Sequence, residues 1–316
     1  MATAEQIKAL IRSYSTDNPE MFYTIALQVA AHEAQQGHGE LAHEIRKIID
    51  KAQHDRKPKE RIFPQDLRGL VVSEEPELPI STLVIPINLR NRIERIISEY
   101  LQQHKLKTHG LFPRQKILLI GPPGTGKTLT AKVLAHELQL SLHTVQVDRL
   151  VTKFMGETSA KLRLIFDLIQ REAGVYLFDE FDAIGGERSR DNDVGEMRRV
   201  LNSFLQFIEQ GTSSSLIIAA TNSPQLLDKA LFRRFDDVMY YNLPTIEERK
   251  RLIKKVLAGF QSRNFKWKAV INESEKLSHA EIDKACRDSI KEVILSNRTS
   301  VTASILLQYL REQKRS

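Results

Sequence analysis

Apolar residues in the first part of the chain recur every three or four positions, which is the spacing of an amphipathic helix. There are three such stripes, within residues 7–14, 22–29 and 41–49. Asn18-Pro19 begins the second stripe, and Gly37-His38-Gly39 separates it from the third. The pattern predicts a small all-α domain of three helices over residues 1–55, in which the apolar faces pack together.

The next stretch, residues 56–80, has no sustained periodicity and is rich in charged residues and prolines. The prolines are Pro58, Pro64, Pro76 and Pro79. Proline lacks the backbone donor that helices and central strands use. We therefore expect a partly extended linker, which lets the helical domain move relative to the rest of the chain.

Residues 81–243 alternate helical patterns with short, continuously apolar runs. The runs are 117–120, 141–147, 175–178 and 216–220. Apolar runs of this kind, with helices between them, are typical of parallel strands that are covered on both faces. The sequence predicts an α/β fold with a parallel sheet and helices on both faces, followed over residues 244–316 by a helical lid domain.

Composition agrees with an ordinary folded chain. Of 316 residues, 41% are hydrophobic and 28% are charged, which is typical of globular domains. The single cysteine, Cys286, excludes an internal disulfide and fits a reducing compartment. The N-terminus does not read as a signal peptide, and no apolar run approaches the length that crosses a bilayer. We therefore expect a cytoplasmic protein without membrane insertion.

Positive charge is concentrated towards the end of the chain. The formal net charge is +7, and residues 250–316 contain 15 Lys or Arg against 7 Asp or Glu. Basic segments of this kind bind nucleic acid in some proteins. Aromatic residues are not interleaved here as a stacking platform requires, so the sequence favours a solvated helical face that also meets acidic surfaces. Nucleic acid is not expected as a partner.

Closely spaced glycines follow the apolar run 117–120. The segment is Gly121-Pro122-Pro123-Gly124-Thr125-Gly126-Lys127-Thr128, and Leu129 continues into a helical pattern. Phosphates need several converging backbone N–H donors, and glycines let the chain curl tightly enough to supply them at a helix N-terminus. Lys127 adds a charge for the outer phosphates, and Thr128 a hydroxyl for Mg²⁺. This segment therefore predicts a nucleoside triphosphate site.

Two adjacent carboxylates, Asp179 and Glu180, follow the apolar run 175–178. The carboxyl end of a core strand lies at the crevice where open α/β sheets hold ligands. We expect Asp179 to belong to the Mg²⁺ shell and Glu180 to orient and polarise a water molecule against the γ-phosphoryl group. The alternative, a surface acidic pair that ends a strand, is not favoured because the pair coincides with a phosphate loop.

Two further polar groups follow the last apolar run. Asn222 comes directly after residues 216–220 and Thr221, and its amide can hydrogen-bond the γ-phosphate or the attacking water. Arg233 and Arg234 follow a short helical pattern. Guanidinium groups are well suited to stabilise the charge that develops on a transferred phosphoryl group.

In their order these segments resemble the AAA ATPases over about residues 81–290. Residues 121–128 match the Walker A loop, 176–180 the Walker B strand and Asn222 sensor 1. Arg233 and Arg234 match the arginine fingers, which in this family act on the nucleotide of the adjacent subunit. Lys153-Phe154-Met155-Gly156 resembles the pore loop that grips a polypeptide, and residues 188–200 resemble the second region of homology.

Two departures from the family pattern affect the site. Many members read Arg-Pro-Gly-Arg-Phe-Asp at the finger, whereas here Arg233 and Arg234 are adjacent, and either can be the principal finger. The lid helix commonly begins Ser-Gly-Ala-Asp, and this chain has Ser278-His279-Ala280-Glu281, which offers no arginine as a second sensor. We expect the lid to contact the nucleotide through His279 or through backbone packing instead.

The resemblance implies an ATPase that uses ATP and Mg²⁺ and assembles with copies of itself into a hexameric ring. Phe154 and Met155 would line its pore, and residues 1–55 would recruit a protein substrate or adaptor. The expected activity is remodelling, unfolding or disassembly of that protein. A ring that feeds a separately encoded protease, a DNA-remodelling ATPase and a nucleotide-switched scaffold stay as alternatives.

Overall fold

The computed structural model describes residues 8, 19–35, 38–54, 67, 69–153, 157–185, 191–210, 213–226 and 229–315. The chain forms two units, Met1–Ile62 and Phe63–Ser316. In the first unit, helices Pro19–Gln35 (α1) and Gly39–His54 (α2) pack against each other. They coincide with the second and third predicted stripes, while the apolar residues of the first stripe lie outside the described residues.

The buried side chains of the first unit are those of the predicted apolar faces. They include Ile25, Ala26 and Val29 of α1 and Ile49 of α2. Leu41, which the pattern placed on the packed stripe, is instead 47% exposed near the start of α2. The apolar stripe of α2 is therefore packed over a shorter stretch than the pattern predicted.

The second unit contains a mostly parallel sheet, which confirms the predicted α/β class. The strands are Val71–Glu74 (β1), Lys116–Ile120 (β2), Leu142–Gln146 (β3), Val175–Asp179 (β4), Leu216–Thr221 (β5) and Asp237–Tyr240 (β6). Among the described residues they form one six-stranded sheet in the order β1-β3-β4-β5-β2-β6. The pairs are parallel except β1 with β3, which is antiparallel. The order makes β4, β5 and β2 neighbours, so their carboxyl ends meet at one edge.

Two strands were not among the predicted runs. β1 lies within residues 56–80, the range interpreted as a linker, and there Leu67, Leu70 and Val71 are buried in the core of the second unit. Strand β6 follows the predicted finger region and pairs with β2 through Leu118 and Val238. Both strands lie at edges of the sheet and are four residues long, which leaves too few positions for a periodic signal.

Helices cover both faces of the sheet. The helices of this part are Ile87–Leu101 (α3), Gln103–Thr108 (α4), Lys127–Glu137 (α5), Val147–Lys153 (α6), Thr158–Arg171 (α7), Asp182–Gly185 (α8), Asp191–Gln210 (α9) and Lys229–Phe232 (α10). Successive side chains of β2 enter two different cores, with Leu118 on one face and Ile117 and Leu119 on the other. This alternation explains why the strands are apolar throughout.

The last part of the chain is helical, as the stripes predicted. Its helices are Ile246–Val256 (α11), Trp267–Glu273 (α12), His279–Leu295 (α13) and Ala303–Arg315 (α14). They bury a core of their own, which includes Ile253, Ile282, Val293 and Leu306. Capping boxes begin two of these helices, at Thr245 and Ser278. Within the described part of the chain, the helices are too short or too polar to cross a bilayer.

Candidate active site

The glycine-rich loop connects β2 to α5 in a conformation that requires glycine. Gly124 has φ 72°, and a Cβ there would lie 2.6 Å from the Ser278 Oγ and 3.0 Å from the Ala280 Cβ. A Cβ at Gly121 would lie 2.1 Å from the Tyr241 carbonyl oxygen. The backbone N–H of Ala280 donates to the Gly124 carbonyl at 3.0 Å. The loop is therefore in direct contact with the first turn of helix α13.

Lys127, the first residue of α5, holds the loop closed from inside. Its ammonium donates to the carbonyls of Gly121 at 2.8 Å and Pro122 at 2.9 Å and to the Asn222 Oδ1 at 2.7 Å. All three acceptors are neutral, and the residue is only 6% exposed. Burial lowers the pKa of Lys127, while the nearby carboxylates of Asp179 and Asp182 raise it. A buried cation with neutral partners is suited to bind an anion.

The predicted hydroxyl and carboxylate of a magnesium site meet in the structure. The Thr128 Oγ1 donates to the Asp179 Oδ2 at 2.8 Å, which joins the start of α5 to the end of β4. The second oxygen of Asp179 accepts from the backbone N–H of Glu180 at 3.0 Å. Carboxylate and hydroxyl oxygens are hard ligands of the kind that Mg²⁺ takes together with water and phosphate. The donor set therefore fits this ion.

Glu180 has an unusual backbone conformation at the end of β4. Its φ is 53°, in the left-handed region of the backbone that residues other than glycine, asparagine and aspartate seldom adopt. Flanking hydrogen bonds hold it there, from the Phe181 N–H to the Ala220 carbonyl at 2.9 Å and from the Ala183 N–H to the Glu180 carbonyl at 2.8 Å. Its side chain is exposed and lines the same cavity as Lys127. Backbone strain of this kind concentrates at functional sites.

One acidic residue of the site was missed from the sequence. The Asp182 Oδ1 accepts from the Thr221 Oγ1 at 3.0 Å and from the backbone N–H of Asn222 at 3.2 Å. It thereby fixes the turn that presents the Asn222 amide to Lys127. Asp182 lies two residues after Glu180, and an acidic residue just past the strand end was the only signal.

The cavity at this edge of the sheet has a volume of about 760 Å³. Of the predicted site residues, those that line it are Pro123, Gly124, Thr125, Gly126, Lys127, Thr128, Leu129, Asp179, Glu180, Asn222 and His279. Gly121 and Pro122 contribute the carbonyls that hold Lys127. The opposite wall comes from residues 82–85 and from α11 and α13. Its size suits a nucleotide or other molecule in the drug-sized range.

His279 reaches the cavity from the first turn of α13. Both of its ring nitrogens are buried, and a backbone hydrogen bond with Val84 favours the protonated ring. Burial lowers the pKa of His279, and the Glu248 carboxylate opposes this shift in part. The sequence did not indicate Arg287, which lines the cavity two turns further along α13 and donates to the Asp283 Oδ2 at 2.6 Å.

The predicted finger arginines lie elsewhere. Arg233 is exposed, and Arg234 forms an ion pair with Glu209 near the end of α9. Among the described residues that line the cavity, neither arginine is found. Of the predicted pore loop, Lys153 ends α6, whereas Phe154, Met155 and Gly156 lie outside the described residues.

Comparison with known proteins gives consistent matches. The family model described as "ATPase family associated with various cellular activities (AAA)" matches residues 117–243. An uncharacterized AAA family ATPase, y4kL of Sinorhizobium fredii (strain NBRC 101917 / NGR234), is 32% identical over 323 residues, which covers 100% of this chain and 96% of that protein.

Other relatives are longer than the part that matches. The meiotic spindle formation protein mei-1 of Caenorhabditis elegans is 34% identical over 58% of this chain and 40% of its own length. A proteasome-activating nucleotidase of Sulfurisphaera tokodaii is 32% identical over 78% of this chain and 66% of its own length. The crystal structure of the FIGL-1 AAA domain superposes with a TM-score of 0.63 at 21% identity, over 81% of this chain and 92% of that chain, and shows the same fold.

Proposed function

This chain belongs to the AAA family of ATPases, and on that premise we propose that it hydrolyses ATP in an oligomeric ring to remodel, unfold or disassemble a protein substrate. The observation that carries the proposal is the composition of the cavity. A phosphate loop, two carboxylates and an amide meet there. Among the described residues that line the cavity, the predicted fingers Arg233 and Arg234 do not occur. A site that lacks its fingers within one chain is suited to completion by a neighbouring copy.

In the proposed reaction, a water molecule attacks the γ-phosphorus and the bond to the β-phosphate oxygen breaks, which gives ADP and phosphate. The Glu180 carboxylate orients this water and accepts its proton. The loop backbone and Lys127 hold the phosphates, and the Asn222 amide positions the water or the γ-phosphate. Thr128 and Asp179 would hold Mg²⁺, which neutralises charge on the phosphate oxygens when bound.

We propose the division of the chain that the sequence predicted, with one change in the range 56–80. Residues 1–55 recruit the protein substrate or an adaptor, residues 81–243 together with strand β1 form the ATPase domain, and residues 244–316 form the lid. Leu27 and Leu41 on the two described N-terminal helices are 39% and 47% exposed, so a bound protein can be captured from these positions. The direct hydrogen bond from Ala280 to Gly124 supports a lid that responds to the phosphate loop.

A ring that acts together with a separately encoded protease is a second candidate. The similarity to a protein named proteasome-activating nucleotidase favours it. Both candidates require that the ring grip a polypeptide, and the proposed grip is the loop Lys153-Phe154-Met155-Gly156.

Crosslinking from positions 27 and 41 in the Glu180→Gln protein with ATP bound should capture the engaged protein. Identification of the captured protein as a substrate or as a protease would distinguish the two candidates.

Replacing Phe154 with alanine tests the grip. We expect ATP hydrolysis within about twofold of the parent and an ATP-dependent action on the captured protein that is weaker by about tenfold or more, because aromatic anchors dominate contacts of this kind. The measurements are phosphate release and the ATP-dependent unfolding or release of the captured protein. Phe112→Ala is the matched control, since Phe112 is 79% exposed in the segment between α4 and β2. Loss of both activities in Phe154→Ala would contradict a pore role.

Replacing Gly124 with alanine tests the contact between loop and lid. The left-handed backbone costs about 1–2 kcal/mol for alanine, and the added Cβ would also meet Ser278. We expect ATP affinity, measured with a fluorescent ATP analogue, to fall about tenfold or more. Gly110→Ala is the control, because Gly110 has φ 70° and nothing within 4 Å. An equal loss of stability in both variants, with unchanged affinity in Gly124→Ala, would contradict the assignment.

A further inference from the structure

The lid carries an unbroken run of positive charge. Residues 249–272 contain eight Lys or Arg and no Asp or Glu. Arg251 and Lys255 are committed to the neighbouring segment, because they donate to the carbonyls of Ile85 at 2.6 Å and Ser81 at 2.7 Å. Arg249 is buried, so five exposed cations remain, and together with Trp267 we call them the lid basic surface. They are Lys250, Lys254, Arg263, Lys266 and Lys268.

Trp267 organises two of these charges. The ammonium groups of Lys250 and Lys254, one turn apart on α11, lie over its ring at 5.9 Å and 5.6 Å from the centroid. The Phe265 ring packs against the same indole with centroids 4.8 Å apart. Cation–π attraction offsets the repulsion between the two ammonium groups and keeps them together. The sequence analysis found no interleaving of aromatic and basic residues of the kind that a stacking platform requires, and it did not consider Trp267, which lies between Lys266 and Lys268.

Of the carboxylates that flank the lid basic surface in the chain, Glu247 in the first turn of α11 forms no ion pair with it among the described residues, and Glu248 and Glu273 are engaged elsewhere. Glu248 caps α11 by accepting from the Thr245 N–H at 2.8 Å. Glu273 pairs with Arg311 at 3.3 Å and with Lys314 at 3.2 Å. Among the described residues, none of the five cations lies within 4 Å of a carboxylate oxygen. Like charges that are held together without counter-charges favour an anionic partner.

We propose that the lid basic surface binds an acidic segment of another polypeptide, one rich in glutamate or aspartate. A nucleic acid base would need a free aromatic face on which to stack, and the face of Trp267 carries Lys250 and Lys254. Four of the five cations are lysines, which attract carboxylates as point charges but do not read base edges bidentately as arginine does. This surface lies outside the ATP cavity, and the inference does not depend on the remodelling activity.

The protein contains its own reporter for this surface, because Trp267 is its single tryptophan. Titration of the full chain with an oligoglutamate peptide is expected to change Trp267 fluorescence saturably, and an oligoglutamine peptide of the same length is not. Anisotropy of the labelled peptide gives the Kd independently of the tryptophan. The double variant Lys250→Gln/Lys254→Gln is expected to bind the peptide roughly 3- to 30-fold more weakly, since each exposed ion pair contributes little.

The matched control is Lys105→Gln/Lys107→Gln, which removes the same charge from exposed positions on α4 and is expected to keep the parent affinity. An equal loss in both double variants would show a net-charge effect and overturn the proposal. Tighter binding of a single-stranded oligonucleotide than of oligoglutamate would make this a nucleic-acid surface instead. Absence of peptide binding together with altered sedimentation of Lys250→Gln/Lys254→Gln would make it an interface between copies. ATP turnover of both double variants in the absence of peptide is expected to equal that of the parent. This result would show that the variants are folded.

Discussion

Replacing both Arg233 and Arg234 with alanine is expected to lower ATP turnover per subunit by about 10³- to 10⁵-fold, which is the contribution of an arginine finger supplied by a neighbouring subunit in other phosphoryl-transfer enzymes. The physical reason is that charge develops on the transferred phosphoryl group, and the described cavity lining includes neither guanidinium. Nucleotide affinity should change much less than turnover. Phosphate release and titration with a fluorescent ATP analogue measure the two quantities separately.

Single variants decide which arginine is the principal finger. Arg234 forms an ion pair with Glu209, whereas Arg233 is exposed. Arg234→Ala removes both this ion pair and the Arg234 guanidinium, whereas Glu209→Gln removes the ion pair and keeps the guanidinium. Comparison of the two variants therefore separates loss of structure from loss of catalysis. We expect Arg233→Ala to be severely impaired and Glu209→Gln to stay close to the parent. Arg298→Ala, on an exposed side chain, controls for loss of a surface charge.

Mixing two inactive variants tests whether the fingers act between copies. The Arg233→Ala/Arg234→Ala protein keeps Glu180, and the Glu180→Gln protein keeps both arginines. In a mixed ring, a cavity of the first protein can receive arginines from the second, so turnover should rise above that of either protein alone. If mixing restores nothing while both proteins assemble, or if a monomer turns over ATP at full speed, the arginines do not act in trans.

The nucleotide cavity could largely be predicted from the sequence because its parts are local. The glycine-rich loop, the carboxylate pair and the amide each come at or just after the end of an apolar strand run, and the neighbouring order of β4, β5 and β2 brings these ends together. The hydrogen bonds from Lys127 to Asn222 and from Thr128 to Asp179 join positions that the sequence had assigned to one site. The carboxyl ends of parallel strands lie at one edge of the sheet, so the predicted fold class already placed these groups there, whereas the order of the strands came only from the structure.

The features that the sequence did not predict depend on contacts between distant segments. The contact of Gly124 with Ser278 joins the loop to a lid helix about 150 positions later, and no periodicity encodes it. Strands β1 and β6 take their conformation from pairing with β3 and β2 rather than from strong local preference. The left-handed φ of Glu180 likewise depends on flanking hydrogen bonds to the end of β5 and to the start of α8.

Replacing Glu180 with glutamine is expected to reduce ATP hydrolysis by about 10²- to 10⁴-fold, the usual contribution of a positioned general base. Glutamine has nearly the same shape and keeps hydrogen-bonding capacity but cannot accept the proton of the attacking water at neutral pH. ATP should still bind, because Lys127, Thr128 and Asp179 are unchanged. Phosphate release and affinity for a fluorescent ATP analogue are again the two measurements, with Glu94→Gln, an exposed position on α3, as the charge-matched control.

The neighbouring variant Asp179→Asn gives the contrast that makes this test specific. Asp179 accepts from the Thr128 hydroxyl at 2.8 Å, so its loss should weaken the binding of Mg²⁺ with ATP as well as turnover. Glu180→Gln should lose turnover alone and hold ATP in the ring, which is the state that crosslinking needs. Equal and negligible turnover in the parent and in Glu180→Gln would favour the nucleotide-switched scaffold. Unchanged and substantial turnover in Glu180→Gln would instead assign the base to another residue, because a strained backbone at the strand end does not by itself activate water.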